Sequence, residues 1–338
     1  MKFHRIFHKQ LRMSRRFSLS FIKWAAIAVL IGLIGGAIGT VFRLAVVFSN
    51  TTWEQHRWLT WLLPLSGLFI VWLYQKAGVD HPAGTNRVFR SVRREEKLPL
   101  KAAPLIFVAT VLTHLCGGSA GREGAALQIG GVVEAGTSRI LKLHPSDSSI
   151  AVLMGMSAVF AALFDTPITA VVFALEVISV GIIHYAGLVP CLISSFIAAG
   201  VTKFFAKNEF AGISIAFPTV TAMILLKVMV LGLCCALLSI LTVVAFNGMR
   251  HLLVRLVSNR YLLVLCGAFL LILLTYLTPS AAYNGSGTEG IMEALQGNAR
   301  WWSFLVKLLF TAVTLGVGFK GGEVLPTFFV GAELLVVP

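Results

Sequence analysis

Long apolar runs fill this chain, and polar residues collect in the gaps between them. The first run, Trp24 to Phe42, is 19 residues without a charge. That length suits one helical crossing of a bilayer and exceeds the roughly 7 to 15 residues of a signal-peptide core. Within it, Gly32 with Gly36 and Gly35 with Gly39 form two overlapping small-x-x-x-small pairs, which predict a face that other helices approach closely. Further apolar segments run at about 58–75, 102–116, 125–138, 150–164, 167–183, 186–202, 219–249, 261–278 and 301–317. Several are shorter than a crossing and are broken by Gly or Pro. Half-helices at membrane depth are tolerated where protein or a watery cavity satisfies their free backbone groups, and transporters build ion sites there. The pattern predicts an all-α integral membrane protein with broken and re-entrant helices.

Composition narrows this picture. With 57% apolar and 12% charged residues, a soluble domain is excluded and a channel or transporter size is reached, with material for up to roughly ten crossings. The net charge of +14 would suggest nucleic acid in a soluble protein, but a mean hydropathy of +0.86 does not fit that partner. The basic surplus belongs to the membrane: Lys2, Arg5, Lys9, Arg12, Arg15, Arg16 and Lys23 precede the first crossing, and no acid appears before Glu54. By the positive-inside rule this predicts a cytoplasmic N-terminus, as in a bacterial-type inner membrane. Cys116, Cys191, Cys234, Cys235 and Cys266 sit in apolar runs without metal-ligand spacing and read as free thiols. No metal, no cofactor and no enzymatic constellation is expected.

An offset of 200 residues superimposes Gly118 on Gly318, Gly121 on Gly321, Glu123 on Glu323 and Gly131 on Gly331, and lays Gly84-Thr85-Asn86 over Asn284-Gly285-Ser286. We read a duplication: a basic segment at 1–23, a first membrane repeat at 24–223 and a second at 224–338. In this frame the second copy ends early, as in a truncated reading frame.

Six acids stand in apolar or Gly-rich surroundings: Glu123, Glu134, Asp165, Glu176, Glu323 and Glu333. Burying such a charge at a helix centre costs at least about 2.5 kcal/mol, so acids there usually line a pathway or hold a partner. In Gly117-Gly118-Ser119-Ala120-Gly121-Arg122-Glu123-Gly124, glycines feed a new helix, whose free N–H groups and dipole favour an anion. Ionised, Glu123 occupies the anion's place; protonated, it is released, so proton and anion binding become linked. Gly316 to Pro326 repeats the design around Glu323. The plainer alternative is that the glycines pack helices and Glu123 pairs with Arg122 or another base.

The order Gly84-Thr85-Asn86, then Gly121-Arg122-Glu123-Gly124, then Gly321-Gly322-Glu323-Val324-Leu325-Pro326 resembles the CLC family of chloride channels and anion–proton exchangers. The resemblance implies an inverted repeat with one pore per subunit of a homodimer, and makes Glu123 the gating, proton-coupling residue. By the same resemblance Gly84, Thr85, Asn86, Gly121, Arg122, Gly124, Gly322, Glu323, Val324 and Leu325 are anion-site candidates. Thr85 stands for the family's loop serine, Val324 for its third-motif phenylalanine, and Phe164-Asp165-Thr166-Pro167 for its Asn-x-Pro bend. The third motif is more similar to the fluoride-exporting branch. Val177, beside Glu176, stands where chloride exchangers carry an inner glutamate, and the family's C-terminal tyrosine falls beyond Pro338. The implied function is transport of chloride or fluoride in exchange for protons, with a passive chloride channel and a non-transporting membrane structural protein as alternatives.

Other polar residues have plainer expectations. Lys320 reads as a loop or snorkelling lysine. His114 and His184, placed in apolar helices, read as packing histidines. Arg87, Arg90, Arg93 and Arg94 read as a solvated helix face, and Trp58, Trp61, Trp301 and Trp302 as interfacial aromatics.

Overall fold

Where no water can satisfy the backbone, a single segment closes its own hydrogen bonds only as a helix, and the apolar runs comply. The computed structural model describes residues 2–79, 84–94, 96, 98–179, 181–206, 221–278, 280–300 and 302–335. In order come α1 (Lys2–Gln55), a 3₁₀ turn (Arg57–Leu62), α2 (Leu63–Ala77), α3 (Gly84–Arg94), α4 (Ala102–Leu115), α5 (Glu123–Ile140), α6 (Pro145–Phe164) and α7 (Pro167–Glu176). A 3₁₀ turn (Tyr185–Gly187), α8 (Leu188–Phe205), α9 (Ala222–Leu256), α10 (Arg260–Leu277), a third 3₁₀ turn (Ala281–Tyr283), α11 (Thr288–Leu295), α12 (Ser303–Val317) and α13 (Val324–Leu335) complete the chain. Among the described residues, six segments are long and apolar enough to cross a membrane: Ser18–Gln55, Arg57–Ala77, Asp147–Phe164, Tyr185–Phe205, Ala222–Leu256 and Arg260–Leu277. Helices α4, α7, α12 and α13 are apolar but shorter, as expected of broken elements.

Some boundaries differ from the sequence pattern. Helix α1 takes in the basic segment and continues through Arg43, which is buried, to Gln55. One cation in an apolar run does not end a helix whose backbone bonds continue. Gly84-Thr85-Asn86, where the resemblance puts the family's loop serine at Thr85, forms the first turn of α3. His184 precedes a 3₁₀ turn and is not in an apolar helix. The bend at 164–167 separates α6 from α7: Asp165 takes a left-handed φ of 56° and Pro167 opens α7. Asp165 is held there by Lys203 at 3.4 Å.

The chain divides into two compact units. The first comprises Met1–Val41, Asn86–Leu100 and Ala126–Asn208. Here the two glycine pairs of α1 meet two different helices. A Cβ on Gly32 or Gly36 would lie 2.8 Å from Ser194 O or Ala198 Cα of α8, and one on Gly35 or Gly39 would lie 2.9 or 2.6 Å from Ala158 or Ala162 Cβ of α6. Thr40 and Thr202 share a hydrogen bond of 2.8 Å across the same seam. Ala158, Ala162 and Ala198 are fully buried in it, so close van der Waals approach holds this unit together.

The second unit comprises Phe42–Thr85, Lys101–Ala125 and Glu209–Pro338. Its core joins Ile70 and Tyr74 of α2, Val264 and Leu271 of α10, Phe310 and Val313 of α12, and Phe329 of α13. Helix α9 touches this body through Leu238, beside Leu308 and Val330, and leaves most of its apolar surface exposed. Within the unit, α4 and α12 start at 102 and 303, and α5 and α13 at 123 and 324, each Gly-rich connection lying between like helices.

Candidate functional site

The two Gly-rich connections meet in the second unit. Gly121 donates its N–H to the carbonyl of Gly322 at 2.7 Å and Gly322 returns the bond at 2.6 Å, an isolated antiparallel pair that ties the start of α5 to the start of α13. The approach depends on missing side chains. A Cβ on Gly321 would stand 2.4 Å from that of Ala120, and one on Gly322 would stand 2.8 Å from the amide nitrogens of Glu123 and Gly124. Gly124 in turn faces Thr85: a Cβ there would lie 3.3 Å from Thr85 Oγ1 and 3.5 Å from Gly322 Cα. The first turns of α3, α5 and α13 therefore converge at Thr85, Gly124 and Gly322, and helix starts bring the positive ends of their dipoles.

Glu123 lies in this convergence with no exposed surface. Its Oε2 fills the space that a Cβ on Gly121 (2.2 Å away) or Gly322 (2.4 Å away) would take. The main-chain N–H groups of Arg122, Glu123 and Leu325 turn toward the carboxylate, and the Arg122 guanidinium is near enough to act on it electrostatically. Even so, neither carboxylate oxygen completes a hydrogen bond. A buried acid surrounded by donors but bonded to none marks a functional position, in surroundings suited to negative charge.

A second ring of side chains holds the glycine backbone. Helix α12 presents Lys307, Thr311 and Thr314 at i, i+4 and i+7, on one face. Thr311 bonds the Ser119 hydroxyl at 2.9 Å, and Thr314 accepts from Ser119 N–H at 3.2 Å. Lys307, fully buried, donates to the carbonyls of Tyr283 and Gly285, each at 3.0 Å. That loop grips the first connection: Ala120 N–H bonds Gly285 O at 3.2 Å and the Asn284 amide bonds Gly117 O at 2.8 Å. His114 spans Asn50 Oδ1 at 2.9 Å and Gly121 O at 3.3 Å, so it supports the site rather than merely packing. The sequence reading missed this ring. Its available signal was the Lys/Thr/Thr spacing inside an otherwise apolar helix.

The remaining expected residues are distributed as follows. Arg122 is buried beside Glu123, Leu325 is buried with its amide facing the carboxylate, and Val324 is half-buried as the first residue of α13. Gly84 is exposed at the start of α3; Asn86 is exposed and belongs to the first unit. Of the six acids read as embedded, Glu123, Glu134 and Glu333 are buried, and Glu333 accepts the Arg300 N–H at 2.8 Å. Glu323 and Glu176 are exposed, which corrects their reading as embedded: each stands at a helix end, where the side chain turns outward. Lys320 lies in the connection before α13, its ammonium 5.0 Å from the Tyr74 ring, in keeping with a loop lysine.

Comparison with known proteins shows the family and the fold. Residues 66–334 match the family described as voltage gated chloride channel. A "Chloride/fluoride channel protein" of Pseudomonas syringae pv. tomato is 31% identical over 319 residues, covering 92% of this chain and 71% of that protein. The crystal structure of a CLC-type fluoride/proton antiporter superposes with a TM-score of 0.89 at 32% identity, over 95% of this chain and 83% of that one. A slow cyanobacterial Cl⁻/H⁺ antiporter superposes with a TM-score of 0.74 at 19% identity, over 90% and 76%, and shares the fold.

Proposed function

Since the chain belongs to the voltage gated chloride channel family and is a multi-pass membrane protein, we propose that it exchanges a halide, chloride or fluoride, for protons across a bilayer. Glu123 is the gate and proton carrier. The anion is held by the helix starts around it, through the Thr85 hydroxyl and the main chain of Arg122, Gly124, Val324 and Leu325, while the mutual bonds of Gly121 and Gly322 keep the two connections together. Gly84 and Glu323, each next to one of these turns, complete the proposed set.

The observation that carries this reading is the fully buried Glu123 carboxylate, with neither oxygen bonded, between two paired glycine backbones. Ionised, it competes with a small anion for the same positive potential. Protonated, it loses that attraction, so the halide enters as the proton binds. The fluoride/proton antiporter named above supports exchange over passive conduction. We further propose two repeats, 24–223 and 224–338, a homodimeric assembly, and residence in a bacterial-type inner membrane with residues 1–23 on the cytoplasmic side.

Reconstitution into liposomes tests the proposal. A sodium fluoride or sodium chloride gradient should drive proton movement, and Glu123→Ala should abolish it while halide still crosses. Intact coupling in that variant would refute the role of Glu123. Halide flux that ignores the proton gradient in the unaltered protein would identify a channel, and no flux of either halide would leave only a structural role.

A further inference from the structure

Glu134 lies on α5, eleven residues beyond Glu123, and the site just described makes no use of it. It has no exposed surface, and neither of its carboxylate oxygens has a hydrogen-bond partner. The space it occupies is made for it: on α6, residue 155 is a glycine whose Cβ would stand 2.1 Å from Glu134 Cγ. The Thr137 hydroxyl lies against the carboxylate but is committed to the Val133 carbonyl at 3.3 Å.

Among the described residues, no cation acts on it. The elements around this stretch of α5 contribute Val88 from α3, Val152, Gly155 and Met156 from α6, and Leu100. Several charged groups of these elements are engaged elsewhere. Asp147 of α6 pairs with Lys23 at 3.8 Å, Arg90 of α3 faces Glu96 at 4.0 Å, Arg93 donates to the Ile178 carbonyl, and Arg139 of α5 donates to Leu98 O. Among the described residues, none of them acts on Glu134.

One turn further along α5, Ser138 is buried with its hydroxyl also unpartnered. Ser138 lines a cavity of about 230 Å³ whose other polar walls are Ser91, Glu96, Arg139, Ser148 and Ser149, with Glu96 and Arg139 exposed. Side chains four apart on a helix face the same way. A buried acid, a buried hydroxyl and a polar cavity with exposed walls thus follow one another within a single unit.

We propose that Glu134 is a second proton-binding residue of this protein, charged and discharged through Ser138 and the cavity beyond it. In loading, a hydrated proton in the cavity adds to the Ser138 oxygen as the hydroxyl passes its own proton, directly or through one water, to Glu134. An O–H bond forms on the carboxylate and one breaks on the donor, and release reverses the step without any other reactant. The inference rests on the proton-exchange reading above and names the second stop of the same proton.

The test measures halide and proton fluxes together in liposomes under a sodium fluoride or sodium chloride gradient. Glu134→Gln, which keeps the shape, should lower proton flux about a hundredfold, the usual scale for losing a positioned proton-transfer group, while halide flux persists. The proton-to-halide ratio therefore falls, and Ser138→Ala should move it the same way. An unchanged ratio, with both fluxes normal or both lowered together, overturns the proposal. Infrared titration separates this from failure of the exchange reading, because it needs no transport. A carboxylic-acid band that titrates in the unaltered protein and is missing in Glu134→Gln supports the proposal even if the unaltered protein moves no protons; absence of such a band refutes it. Should Glu134→Gln fail to fold, Glu134→Asp takes its place: a shifted band with an altered ratio supports the proposal, and an unchanged band and ratio refute it.

Discussion

At the residue scale, Glu123 and the anion compete for one pocket, and this sets the sign of the pH response. Raising the pH ionises Glu123, which then occupies the positive potential itself; lowering it neutralises the acid and frees the place. Halide affinity should therefore rise as pH falls, and Glu123→Gln should flatten that dependence in halide-binding calorimetry between pH 8 and 5 (roughly the range where protein carboxylates and their perturbed relatives titrate). The glycines opposite are as specific as the acid. In Gly322→Ala the new methyl would stand 2.4 Å from Glu123 Oε2 and 2.8 Å from two amide nitrogens. It should lower halide flux at least about tenfold, equivalent to about 1.4 kcal/mol of lost binding, and lower the thermal midpoint in detergent as well, because the methyl meets backbone atoms. Normal flux would mean that the paired backbones do not form the anion's surroundings.

At the element scale, close helix approach and buried polar support do different jobs. In α1, Gly39 lies where a Cβ would meet Ala162 at 2.6 Å. Gly39→Leu should destabilise the first unit by about 1–3 kcal/mol through overpacking, read as a lower unfolding midpoint in detergent. Lys307 acts through the loop it holds. Lys307→Met keeps the length but leaves the Tyr283 and Gly285 carbonyls without their donor, a loss of about 1–3 kcal/mol. Halide affinity should fall as well, because Gly285 and Asn284 brace the connection leading to Glu123. Lys307→Arg should restore part of the affinity, and a stability loss with unaltered affinity would confine Lys307 to packing. The elements themselves were largely visible in the chain: the apolar runs at 102–116, 150–164 and 261–278 correspond closely to α4, α6 and α10. Their ends were less visible, as at Arg43, because a helix stops where its backbone finds other partners and not where the apolar run stops.

At the scale of the whole molecule, the outward faces of α8 and α9 carry Val189, Phe196, Leu226, Leu233 and Val243 exposed. In a membrane such surfaces meet lipid or another copy of the chain, and the proposed homodimer predicts a protein mass in detergent of twice 36.6 kDa by light scattering; a mass of one chain would refute it.

What the linear order determined was the membrane habit, the helices, the two Gly-rich connections and the acid at 123, because these follow from local apolar length and from glycines next to a helix start. What only the tertiary structure decided was which groups meet. The chain places both Glu123 and Glu323 in Gly-rich surroundings at a helix start, yet one is sealed between glycine backbones and the other faces outward. Nor did it indicate that His114, Asn284 and Lys307 brace the site, or that Glu134 has no partner. Burial and hydrogen bonding are set by neighbours distant in sequence, and a periodic apolar pattern specifies a face without specifying what will lie against it.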